Sequence, residues 1–134
     1  MMKITRILGG CAILFVFAAV FAEPNEAYAG TECGKASWYA MTSKTASGEI
    51  ADPSALTAAH PSLPFGTKVR VVNLRNDRSV VVRINDRGPF TGGRIIDLTK
   101  AAAQKLGFVD SGTTRVRVEV LGQEELEQAQ NDCS

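Results

Sequence analysis

The chain has 134 residues, with 15 Lys and Arg against 14 Asp and Glu, a single His, three Cys and a formal net charge of +1. A balance this even gives no electrostatic case for nucleic acid or for an anionic membrane surface, so neither is expected as a partner. One histidine and a few cysteines without ligand spacing make no zinc-type site, and no metal or cofactor is expected.

In chain order, the first feature is a segment with the layout of a cleavable export signal. Lys3 and Arg6 precede an apolar run over 7–22, and the small-residue site Ala27-Tyr28-Ala29 stands before Gly30. The run is about sixteen residues, short of the roughly 20 that a membrane span needs. The expected organisation is a signal peptide over 1–29, one domain over 30–122 and a polar tail over 123–134, although Val20-Phe21-Ala22 offers a second cut. Leu8-Gly9-Gly10-Cys11 resembles a lipoprotein box, but the cysteine precedes most of the apolar run instead of following it. The expected product is an exported protein of the periplasm or cell envelope, free of the membrane after processing and monomeric. Cys33 and Cys133 would remain, one near each end of the processed chain, as candidates for a disulfide in an oxidising compartment.

Within the domain, Ala36, Trp38 and Ala40 alternate with Lys35, Ser37 and Tyr39, which predicts a half-buried strand over 34–41 that turns Trp38 toward the core. The stretch 42–54 is polar, carries Gly48 and Pro53, and reads as a loop. A short strand over 55–59 ends at His60, before Pro61 and Pro64. Two β-branched runs, 68–74 and 79–85, flank Arg75-Asn76-Asp77-Arg78 as a hairpin. A glycine- and proline-rich loop over 86–93 leads to a short strand around Ile95, Ile96 and Leu98. Thr99 is placed to cap a helix over 101–106 that Gly107 terminates. A last strand over 113–121 alternates Val116, Val118 and Val120 with charged residues. Gly66-Thr67-Lys68-Val69-Arg70-Val71 is echoed in Gly112-Thr113-Thr114-Arg115-Val116-Arg117-Val118, which suggests a pseudo-twofold duplication. Six short strands with so little helix favour a small barrel, since closure leaves no unpaired edge.

The reactive candidates gather at strand ends. Asp86 stands where a strand yields to the loop Gly88-Pro89-Phe90, so that a rigid scaffold would hold it while the loop leaves it open. Arg83 and Arg87 flank it and would hold it as an ion pair if they turned toward it. His60 could orient or titrate with a carboxylate, and Glu49 and Asp52 add two acids on the preceding loop. Tyr39 and Phe90 are candidate apolar platforms for a ligand.

Several blocks occur together in one order: Gly34-Lys35-Ala36-Ser37-Trp38-Tyr39, Thr45-Ala46-Ser47-Gly48-Glu49, Leu56-Thr57-Ala58-Ala59-His60, Leu63-Pro64-Phe65-Gly66-Thr67, and Val82-Arg83-Ile84-Asn85-Asp86-Arg87-Gly88-Pro89-Phe90. Arg94-Ile95-Ile96-Asp97-Leu98-Thr99 completes the set. This succession resembles the RlpA-type lytic transglycosylases. The resemblance implies an all-β fold, a six-stranded double-psi β-barrel with one or two short helices. It also implies cleavage of peptidoglycan glycan strands, with Asp86 and His60 catalytic and with Glu49, Asp52, Tyr39, Arg87 and Phe90 on the substrate. Ala40 stands where the family usually has glycine, the loop between Tyr39 and Thr45 is short, and no SPOR module follows the barrel, so septal targeting is not expected. In this chemistry one carboxyl group protonates the leaving oxygen and then takes the proton of the sugar's own C6 hydroxyl. The rivals on the same scaffold are a non-catalytic, expansin-like wall-loosening protein and a hydrolase with two working carboxylates.

Overall fold

The computed structural model describes residues 30–122. The expected signal segment, Cys11, the tail and Cys133 lie outside the described residues, and of the expected disulfide pair only Cys33 is described, exposed on a strand. Six strands, β1 (Thr31–Tyr39), β2 (Thr57–Ala59), β3 (Lys68–Asn73), β4 (Ser79–Asp86), β5 (Arg94–Thr99) and β6 (Thr113–Val120), with helix α1 (Lys100–Leu106), close into a barrel in the order β1-β5-β2-β4-β3-β6.

The pairing carries the duplication that the sequence echo suggested. β1 runs parallel to β5, β2 runs parallel to β4, and β3 and β6 meet antiparallel with Val71 opposite Val118. Exchanging β1, β2 and β3 for β4, β5 and β6 maps one parallel pair onto the other and the β3/β6 pair onto itself. The echoed glycines, Gly66 and Gly112, both adopt positive φ, at 91° and 76°, which a side chain would strain. The result is the expected double-psi β-barrel.

Alternation fills the interior. Val69 and Val71 on β3, Val80, Val82 and Ile84 on β4, Ile96 and Leu98 on β5, and Val116 and Val118 on β6 point inward, and Leu106 and Phe108 close the barrel from α1 and the segment after it. Each such side chain contributes about 1.5–3 kcal/mol by leaving water. Gly34 lets β5 approach β1, since a Cβ there would lie 2.6 Å from the Ile95 side chain.

The elements follow the sequence reading with two differences that bear on the site. β1 begins at Thr31, ahead of the expected start, because residues 31–33 find partners in β6. Thr99 occupies the N-cap position, yet its hydroxyl donates to the Ala55 carbonyl at 2.6 Å instead of capping α1, and so ties the helix start to the 42–56 connection. As expected, Trp38 packs half-buried against the core, with its indole N–H donating to the Val109 carbonyl at 3.1 Å.

Candidate active site

β4 delivers Asp86 through a bulge. Ala58 pairs with Ile84 but Ala59 pairs with Asp86, so Asn85 is the extra residue, and bulges of this kind re-aim the side chains beside them. Asp86 Oδ1 accepts the backbone N–H groups of Ala46 and Arg87, both at 2.9 Å. Among the described residues, Oδ2 has no hydrogen-bond partner in the protein, and Asp86 takes part in no salt bridge.

Both flanking arginines turn away from it. Arg83 makes a two-pronged pair with Glu49, at 2.5 and 2.9 Å. Arg87 donates to the carbonyls of His60 (3.2 Å) and Leu63 (2.7 Å), and its guanidinium lies 4.0 Å from the centre of the Phe65 ring. The charge conflict anticipated around Asp86 is therefore resolved by giving each arginine another partner.

The loop over 43–51 forms one wall. Lys44 and Ile50 pair across its neck, Thr45 N–H donates to the Glu49 carbonyl at 2.7 Å, and this turn presents the Ala46 N–H to Asp86. Hydrogen bonding to Arg83 holds the exposed Glu49 carboxyl below its ordinary range. Asp52 is held locally by Ser54. It accepts the Ser54 hydroxyl at 2.6 Å and the Ser54 N–H at 2.9 Å, and these bonds depress its carboxyl too.

His60 is buried, at 4% exposure. Its backbone N–H donates to the Asp86 carbonyl at 3.1 Å, while its ring turns elsewhere. Nδ1 accepts the N–H groups of Ser62 (3.1 Å) and Leu63 (3.0 Å), and Nε2 lies 3.0 Å from Glu32 Oε2 on β1. The ring borders an open depression of about 200 Å³ lined also by Thr31, Leu63, Val118 and Val120.

A second carboxylate, Asp97, joins the site without having been assigned a role from sequence. On one side of β5 it pairs with Ser37 of β1, and on the other with Ala59 of β2, which in turn pairs with Asp86. The two acids thus stand two strands apart, roughly 10 Å at the backbone, with only a methyl side chain between them. Ser37 and Arg94 both bond to Asp97, the arginine at 2.9 and 3.0 Å. Tyr39, two residues beyond Ser37, feels both acids: burial first, then the charges of Asp86 and Asp97, push its phenol up to about 12. Among the described residues Phe90, at 81% exposure, is the most open of the large apolar side chains, and Phe65 and Ile50 are exposed as well.

Fold and site define a double-psi β-barrel with an open carboxylate at a strand end. The family model described as "Lytic transglycolase" matches residues 31–118. The chain belongs to that family. It is 54% identical over 98 residues to the "Endolytic peptidoglycan transglycosylase RlpA" of Neisseria meningitidis, an overlap of 71% of this chain and 41% of the relative. It is 68% identical over 78 residues to the "Probable endolytic peptidoglycan transglycosylase RlpA" of Nostoc sp., covering 58% of this chain and 21% of that one. The chain therefore spans less than half the length of these curated relatives. Among solved structures, the Streptomyces papain inhibitor superimposes with a TM-score of 0.60 at 25% identity, over 69% of this chain and 96% of that chain. An expansin of Clavibacter michiganensis, at a TM-score of 0.58 and 20% identity over 70% of this chain and 52% of its own, shares the fold.

Proposed function

We propose that this domain is a lytic transglycosylase that cleaves the β-1,4 bond between N-acetylmuramic acid and N-acetylglucosamine in peptidoglycan and leaves 1,6-anhydro ends. The observation that carries the reading is the state of the carboxylates. Glu49 is tied to Arg83, Asp97 to Arg94 and Ser37, and Asp52 to Ser54, whereas Asp86 has no cationic partner and keeps Oδ2 open. A carboxyl group fixed at one oxygen and free at the other is placed to exchange a proton with substrate. The printed names of the relatives support the same chemistry.

In this mechanism Asp86 gives its proton to the glycosidic oxygen as the bond to the anomeric carbon breaks. The C6 hydroxyl of the muramyl sugar then attacks that carbon and returns its proton to Asp86, so no water is consumed. His60 acts with Asp86 by holding its main chain. Phe90 and Tyr39 offer apolar faces to the sugar rings, Glu49 and Asp52 accept sugar hydroxyls, and Arg87 keeps the rim formed by Phe65 in place. The signal peptide, the exported domain over 30–122 and the monomeric state belong to the same reading, which places the protein in the cell envelope or periplasm.

The test is mass analysis of soluble products from purified peptidoglycan, intact or stripped of peptides, treated with the processed protein or its Asp86→Asn variant. Anhydro ends released by the parent and not by Asp86→Asn are expected. Reducing ends in their place would make the protein a hydrolase, and a folded protein that binds glycan without releasing anything would make it a wall-loosening protein.

A further inference from the structure

We infer that Glu32 is a positioning residue for Asp86 and acts through His60. The inference rests on the proposed reaction and extends it to a residue that neither the sequence reading nor the reaction itself calls upon.

The argument begins with the two ring nitrogens. A backbone N–H can only donate, so Nδ1, facing the N–H groups of Ser62 and Leu63 at 3.1 and 3.0 Å, must be the unprotonated acceptor. The ring proton of the neutral imidazole then sits on Nε2, aimed at Glu32 Oε2 at 3.0 Å. Every hydrogen-bonding position of the ring is thereby filled by the protein. A carboxylate that accepts the ring N–H and so holds the orientation of a histidine is a recurring second partner at reactive sites.

The connections continue to Asp86 along two routes. His60 N–H donates to the Asp86 carbonyl, which fixes the backbone of the acid. The turn stapled by Nδ1 presents the carbonyls of His60 and Leu63 to Arg87, the residue whose own N–H holds Asp86 Oδ1. Glu32 sits on β1, which is locked in the barrel by its register with β6, where Glu32 lies opposite Val118. The Glu32 carboxylate therefore anchors a short turn, and through it the acid, to a rigid strand. Its side chain is 49% exposed, so the burial of its own carbons offers little reason for it to be there. Its geometry with His60 is what it supplies.

The chain contains one histidine, so imidazole nitrogen spectra of labelled protein, purified without a polyhistidine tag, report on His60 alone. The parent is expected to show Nδ1 bare and Nε2 protonated. Glu32→Leu is expected to keep that tautomer but to shift the Nε2 resonance as its hydrogen bond is lost, to shift the amide resonances of Ala46 and Arg87 that report on the Asp86 carboxylate, and to lower kcat roughly tenfold with KM within about twofold. Glu32→Gln, which still offers an oxygen to Nε2–H, is expected to recover most of the loss. An unchanged kcat in Glu32→Leu, or Ala46 and Arg87 amides that do not move, overturns the inference. The amide readout requires no turnover, so a parent that releases no anhydro ends would count against the proposed reaction and leave this arm to decide the role of Glu32.

Discussion

Two buried asparagines hold opposite ends of the β3–β4 hairpin, and they are served very differently. Asn73, at 1% exposure, donates to the Leu106 carbonyl at 2.8 Å and accepts from the Thr114 hydroxyl at 2.8 Å and the Arg75 N–H at 3.1 Å. Asn85, at 2% exposure, reaches Glu49 only at 3.5 Å, and its Oδ1 has no partner. Buried polar atoms are nearly always satisfied, because an unmet one costs about 1–3 kcal/mol. The end that carries the β3–β4 turn and the helix C-terminus is completed for folding alone. The end that carries Asp86 keeps polar capacity unmet, as is usual where function competes with stability.

The sharpest way to break that comparison is Asp86→Asn. The amide keeps an acceptor oxygen for Ala46 and Arg87, and no ion pair is lost, so thermal stability should change little. The rate of anhydro-end release should fall by about 100-fold or more, since proton transfer of this kind is worth about that much. Asn73→Ala should do the reverse. Urea unfolding is expected to show a loss of about 2–4 kcal/mol as Thr114, Leu106 and the turn lose their shared partner, with activity per folded molecule unchanged. Equal effects of the two variants on stability would remove the distinction.

A pH titration sharpens it further. Because the folded-state phenol of Tyr39 is raised from 10.0 to about 12, the folded protein holds a proton that the unfolded chain has released between those values. The stability contributed by this group is full below pH 10.0 and is lost as pH rises toward about 12. Phenolate absorbance should place this ionisation late in the parent and earlier in Asp86→Asn, and Tyr39→Phe should flatten the alkaline fall in unfolding free energy. The smallest effect is expected from Arg83→Gln. It frees the exposed Glu49 to titrate closer to its ordinary range, visible by carboxyl NMR, and leaves stability nearly unchanged because the pair is open to solvent.

The barrel was legible because its strands alternate cleanly. Val69, Val71, Val80, Val82, Val116 and Val118 announce inward faces, and Gly66 and Gly112 mark the entries to β3 and β6. Asp86 and Glu49 were legible as acids at a strand end and in a loop. What stayed hidden depends on register between strands far apart in sequence: Asp97 in the row with Ser37 and Ala59, Arg83 committed to Glu49, and residues 31–33 recruited by β6. The direction of the His60 ring was equally invisible, since Glu32 lies 28 residues before it. The hydroxyl of Thr99 misled for a related reason, because the Ala55 carbonyl that it serves lies 44 residues away.

Val120 N–H donates to the Gly30 carbonyl at 3.1 Å, and Thr31 pairs with Glu119, so the first and last described residues emerge side by side next to the depression beside His60. This adjacency makes the barrel a candidate for circular permutation. A short linker would join the two ends, and a cut in the exposed turn at Arg75-Asn76-Asp77-Arg78 would open new ones about eight strand residues from Asp86, on the order of 25 Å away. A permuted barrel fixed to a bead through its new ends would present the carboxylate outward, toward glycan too large to diffuse beneath it.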